Sequence, residues 1–188
     1  MGLKELSSQQ LGKLGETAVA LELMKRGYDV INLNESLQNF QHADLLCVCS
    51  RTGKMQPIQV KTGSTKNIYC GLTATTKGEI IGIEDKVVCP WIFVHVTEIT
   101  TAKQKKDLHF DFYILTREET IDLLQDAHNW YANDTKYKRD RQKPIRVGMD
   151  IQWLNADGKK ETRLHNAYKS LLTESSQDKW DNIALLLA

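Results

Sequence analysis

No stretch of this 188-residue chain is apolar for the length that a membrane-spanning helix needs. Its first residues, MGLKELSSQQLGK, carry neither the apolar segment nor the cleavage site of a secretory signal. Gly2 invites myristoylation, but position 6 is Leu where that motif wants Ser or Thr. Charge imbalance is missing too. Against 25 Lys plus Arg stand 24 Asp plus Glu, so any attraction for a polyanion has to come from local clustering. The four cysteines, Cys47, Cys49, Cys70 and Cys89, include no C-x-x-C pair, which removes the common zinc scaffolds. Buried, reduced thiols in a cytoplasmic protein are the expectation. G-x-S-x-G, P-loop and G-x-G-x-x-G patterns are likewise absent.

With 41% hydrophobic and 26% charged residues, the chain reads as a folded globular protein. Its length suits one domain over 1–188, with a core at about 8–131 and a basic loop and elaboration at about 132–188. Good helix formers run from Ser8 to Arg26, with Ser7 or Ser8 as cap and Gly27 at the stop. Residues 28–33 read as a strand and 34–41 as a polar loop. ADLLCVCS (43–50) and MQPIQVKT (55–62) are strands about an RTGK turn, with Pro57 marking an edge or bulge near the start of the second. Between 63 and 90 there is no long amphipathic helix. WIFVHVT (91–97) and FDFYIL (110–115) are strands around a charged loop at 103–107. Thr116 and Glu119 have capping-box spacing ahead of a second helix. Further on, a strand is expected near 151–154 and helices near 161–172 and 178–187. Helices and strands mixed in this order predict an α/β domain.

Chemistry concentrates in the hairpin. A two-residue turn at Thr52-Gly53 would set Asp44 opposite Lys61 and Gln59 opposite Leu46. Asp44, Gln59 and Lys61 would then project from one side of the sheet, because opposed residues share a face, as do residues two apart. Polar groups gathered on apolar strands need a partner or a metal ion. A structural Asp44–Lys61 ion pair at the sheet end accounts for this pattern equally well.

Glu16 adds a second acid. Gly12 stands four residues before it, and Val19, Ala20 and Leu23 follow at i+3, i+4 and i+7, so it lies within an apolar stripe. A carboxylate aimed inward is what a divalent-ion site would use.

Gly15-Glu16 in an N-terminal helix, Gly27-Tyr28, Asp44 opening a strand and Gln59-Val60-Lys61 closing the next together resemble the PD-(D/E)XK nuclease superfamily. More narrowly they resemble its archaeal Holliday-junction-resolvase-like and Mrr-like branches, over about residues 9 to 63. The resemblance implies a restriction-endonuclease-like mixed β-sheet flanked by helices, here with an α-rich C-terminal elaboration. It also implies a Mg²⁺- or Mn²⁺-dependent endonuclease that hydrolyses DNA phosphodiester bonds. By position, Asp44 matches the metal-binding aspartate, Lys61 the motif lysine and Glu16 the helix acid of resolvase-like members. Gln59 stands where most members have Glu or Asp, which lowers the expected metal affinity. Ala43 replaces the motif proline, and the family's crossover helix after Lys61 has no clear counterpart. The implied metal set is Asp44, Gln59, the Val60 carbonyl and Glu16, all offering the hard oxygen that Mg²⁺ prefers. Resolvase-like members generally act as dimers, so a homodimer is implied as well.

One basic cluster stands out: Lys136, Lys138, Arg139, Arg141, Lys143 and Arg146, with Tyr131 and Tyr137 nearby. Such a run suits a nucleic-acid backbone, with DNA the expected partner. Two other readings fit the same residues. One is a nuclease-fold protein that binds nucleic acid without cutting it. The other is a protein-interaction module.

Overall fold

A computed structural model describes residues 3–36, 42–65, 67–100, 106–133, 140–149, 153–154, 160–161 and 171–188. Helix α1 (Ser8–Lys25) begins at a capping box: Ser7 accepts from the Gln10 backbone, and the Gln10 side chain accepts from Ser7 N–H at 2.8 Å. It ends where Gly27 takes φ +84°, a conformation that glycine adopts without strain. Strand β1 (Asp29–Asn32) follows, then a single-turn helix α2 (Leu33–Ser36) where the sequence predicts plain loop.

Strands β2 (Leu45–Val48) and β3 (Met55–Gly63) form the predicted hairpin, with a different register. Leu45 pairs with Ile58 and Leu46 with Pro57, so Leu46 does not face Gln59. The physical reason is the turn. Cys49 N–H donates to Lys54 O at 2.9 Å and Gly53 N–H to Cys49 O at 2.8 Å, enclosing four residues rather than two. The register of β2 against β3 therefore shifts by two residues, and a two-residue shift keeps every side chain on its expected face.

After β3 come β4 (Asn67–Tyr69), the single-turn helix α3 (Ile83–Lys86), and the long strands β5 (Trp91–Thr100) and β6 (Lys106–Leu115). Helix α4 (Arg117–Ala132) starts at the predicted Thr116–Glu119 capping box. Strands β7 (Arg146–Met149), β8 (Trp153–Leu154), β9 (Lys160–Glu161) and β10 (Leu171–Leu172) precede helix α5 (Asp181–Leu187). The helix expected at 161–172 is contradicted at both described ends, where Glu161 and Leu171–Leu172 are strand. Short β pairings take these ends: Glu161 lies opposite Trp153, and Leu171 and Leu172 run parallel to Gly148 and Met149. Its remaining residues lie outside the described ones.

The main sheet has the order β1-β2-β3-β5-β6, antiparallel except for the parallel β3–β5 pair. Pro57 is tolerated in this central strand because β5 begins opposite Gln59, beyond the proline's missing donor. The crossover between β3 and β5 holds β4 and the single-turn α3 rather than a long helix, and β4 joins the later strands β7 and β10 in a second sheet of order β10-β7-β4. Val19 and Leu23 of α1 and Ile183 and Leu187 of α5 cover one face of the main sheet, against Ile58, Val60, Ile92 and Val94. Ile121 and Leu124 of α4 join Ile68 and Val147 of the second sheet against Trp91 and Phe93 on the other. The domain is thus a mixed α/β layer structure with a five-stranded sheet flanked by helices, as the sequence predicts. No described helix is long and apolar enough to cross a membrane.

Candidate functional site

Strand β2 stops pairing at Leu45, which leaves the next stretch of the β3 edge without a backbone partner from β2. Asp44 fills that gap with its side chain. Its Oδ2 accepts the Val60 backbone N–H at 2.7 Å and also the Gln59 side-chain amide. The Asp44 main chain stays tied in: its N–H donates to Ile58 O and its carbonyl accepts from Leu33 N–H, both at 2.9 Å. Gln59 is only 7% exposed, and its Nε2 also lies 3.5 Å from the Val60 carbonyl. Asp44, Gln59 and the Val60 main chain therefore form one connected polar cluster at the end of β2.

Glu16 reaches this cluster from α1. Gly15 makes the approach possible: a Cβ there would come within 2.9 Å of Thr62 Cβ and closer still to Thr62 Oγ1. Two asparagines that sequence reasoning passed over complete the link. Asn34 Nδ2 donates to Asp44 Oδ1 at 2.9 Å and to Glu16 Oε1 at 3.5 Å, so one amide bridges both carboxylates. Asn32 Nδ2 donates to Glu16 Oε2 at 3.4 Å. Asn32 had a visible signal, since it alternates with the half-buried Val30 along β1. Asn34 had none; the turn of α2 carries it to the site. Burial and the neighbouring Asp44 charge raise the Glu16 carboxyl above its ordinary value, against the opposing pull of Asn32, Lys13 and Asn34.

Lys61 sits two residues along β3 from Gln59, half buried, with Nζ 5.1 Å above the Trp91 ring. Among the described residues no ion pair joins Asp44 to Lys61, so the structural pair that the sequence left open is not formed within 4.0 Å. All four cysteines are free and buried, and burial pushes Cys70 to about 12 and the nearby Cys89 to about 11.

The donor set suits a hard cation. Asp44, Glu16 and the Val60 carbonyl present oxygens, and Gln59 adds Oε1 once its amide is turned over. Among the described residues no group of three or more His, Cys, Asp and Glu side chains could hold a metal ion, so this cluster has only two carboxylates. Of the basic run, Lys136, Lys138 and Arg139 lie outside the described residues. Arg141 donates from Nε to Ala132 O at 3.3 Å, and Lys143 is exposed. Arg146 is not in a loop: it opens β7, opposite Tyr69 on β4, with its guanidinium 4.3 Å from the Tyr69 ring centre.

No protein-family model matches the chain, and neither does any curated protein sequence. Among solved structures it is similar to a bacterial homing endonuclease, I-Ssp6803I, at 14% identity over 97% of this chain and 94% of that one. The TM-score is 0.43, at which the likeness fixes neither the fold nor the function of this chain.

Proposed function

We propose that this protein is a divalent-metal-dependent endonuclease of the PD-(D/E)XK type, with DNA as its substrate. The observation that carries the reading is the joining of Asp44, Gln59, the Val60 main chain and Glu16, through Asn34, into one cluster beside Lys61. Asp44, Glu16, Gln59 Oε1 and the Val60 carbonyl would hold Mg²⁺ or Mn²⁺. Bound there, the ion supplies Lewis-acid activation of the scissile phosphate and a lowered pKa for the attacking water. Lys61 brings the positive charge. It orients the water and offsets the negative charge that grows on phosphorus in the transition state. Asn34 and Asn32 hold the two acids in place, and the Trp91 ring seats the Lys61 ammonium. Arg141, Lys143 and Arg146, with Lys136, Lys138 and Arg139 from the same run, supply phosphate-backbone contacts.

A second reading has its own support. Gln59 contributes an amide where a third carboxylate would stand, and it donates to Asp44. A nuclease-fold protein that binds nucleic acid without cutting would keep this arrangement. Calorimetric titration of Mn²⁺ into wild type and Asp44→Asn separates the two. Saturable binding lost in Asp44→Asn supports the nuclease. No binding to wild type, together with salt-sensitive retention of DNA, supports the binding protein.

A further inference from the structure

The second sheet turns an unusual pair outward. Ile68 and Val147, cross-strand partners on β4 and β7, are both fully buried in the core. Strand alternation therefore points the next pair, Tyr69 and Arg146, away from it. Tyr69 is 54% exposed, and Arg146 is exposed while lying flat enough over the ring to place Cζ 4.3 Å from its centre. An aromatic ring of this size left in solvent against the Arg146 guanidinium joins a π-surface to a positive charge. Strand β4 also follows β3 after three residues, and Ile68 packs within 2.9 Å of where a Gly63 side chain would begin, so this sheet adjoins the strand that carries Gln59 and Lys61.

We propose that the Tyr69–Arg146 pair is a stacking seat for an unpaired base, and that the preferred substrate contains single-stranded or flipped-out nucleotides. This rests on the nucleic-acid reading above and narrows its substrate class. The chemistry is specific. A duplex hides its base faces, whereas an unpaired base presents a π-face to an aromatic ring or a guanidinium plane. Arg146 supplies both the plane and a charge for the adjoining phosphate, and its donors cannot be reproduced by lysine in the stacked geometry. Ring and guanidinium are held together before any base arrives, so little side-chain freedom is lost on binding.

Fluorescence anisotropy in EDTA tests the seat, using a labelled single strand and the blunt duplex of the same sequence. Tyr69→Leu should weaken single-strand binding about ten-fold and duplex binding by less than about two-fold, Arg146→Lys should weaken the single strand more than the duplex, and Tyr69→Phe should stay near wild type. The salt dependence of Tyr69→Leu should match wild type, because no phosphate contact is removed. Equal weakening on strand and duplex, or wild-type binding by Tyr69→Leu, overturns the proposal. Tyr69 is surface-exposed, and an unchanged melting temperature confirms that folding is not the cause. Failure here is distinct from failure of the nuclease reading. Tyr69-dependent strand binding without Mn²⁺-dependent cleavage leaves the seat and removes the nuclease. Cleavage by a Tyr69→Leu protein that binds strands normally does the reverse.

Discussion

Asp44 Oδ2 accepts the backbone N–H of Val60 at 2.7 Å, so a side chain takes over from the β2 ladder where its pairing with β3 ends. Asp44 thus has a structural duty alongside any catalytic one. Asp44→Ala would strand the Val60 donor and the buried Gln59 amide, and should lower stability by about 1–3 kcal/mol. Asp44→Asn keeps an acceptor oxygen and should lose no more than about 1 kcal/mol. Urea unfolding of the two variants measures the difference, and activity tests belong on the asparagine form.

Gln59→Glu places a third carboxylate, nearly excluded from solvent, beside Asp44. Without divalent ions this variant should melt below wild type, because an amide donor has become a repelling acceptor. Saturating Mn²⁺ should raise its melting temperature by more than it raises that of wild type, since ligand affinity adds directly to folding stability. Paired thermal melts with EDTA and with Mn²⁺ read both effects.

Glu16 has a carboxyl raised by burial and by Asp44, and the pH dependence has a definite sign. Below the ordinary value of 4.5 the acid is protonated in both folded and unfolded chains and carries no penalty. As pH rises through the elevated folded value, ionisation destabilises the native state. Glu16→Gln should therefore be more stable than wild type at neutral pH in EDTA, and the gap should close as pH falls toward 4.5. Thermal melts across that range measure it. Cleavage by wild type should rise with pH over the same window, since the ionised acid is the ligand.

Gly15 sets how closely α1 approaches β3. Gly15→Ala should destabilise by about 1–3 kcal/mol, because the new methyl overlaps Thr62 and this outweighs the better helix propensity of alanine. Thr62→Ala removes a buried hydroxyl with no hydrogen-bond partner, and should restore about 1 kcal/mol or more when combined with Gly15→Ala. A double-mutant cycle tests the contact. Cleavage should fall in Gly15→Ala as Glu16 is carried away from Asp44.

The gathering of Asp44 and Gln59 was legible because side-chain parity in a strand survives a two-residue error in register. Thr52-Gly53 suggested a two-residue turn, the chain makes a four-residue one, and Gln59 still meets Asp44. Glu16 was legible from its place in an apolar stripe. Asn34 was not, because its role depends on one turn of helix in a segment that reads only as polar. Arg146 looked like part of a charged loop; its strand pairing with Tyr69 is a tertiary fact that the run of basic residues conceals. Leu171 and Leu172 carry a helical pattern, yet parallel pairing with β7 draws them into strand. Local propensity yields there to a partner distant in sequence.

Nicking of supercoiled plasmid in Mn²⁺, with wild type, Asp44→Asn and Lys61→Met purified alike, tests the nuclease directly. Wild type should give open-circular product that depends on the ion, with a loss of about a hundred-fold or more in each variant. Nicking by wild type and both variants at one rate would contradict the nuclease reading, as would intact plasmid, duplex, branched and single-stranded DNA after incubation with folded wild type.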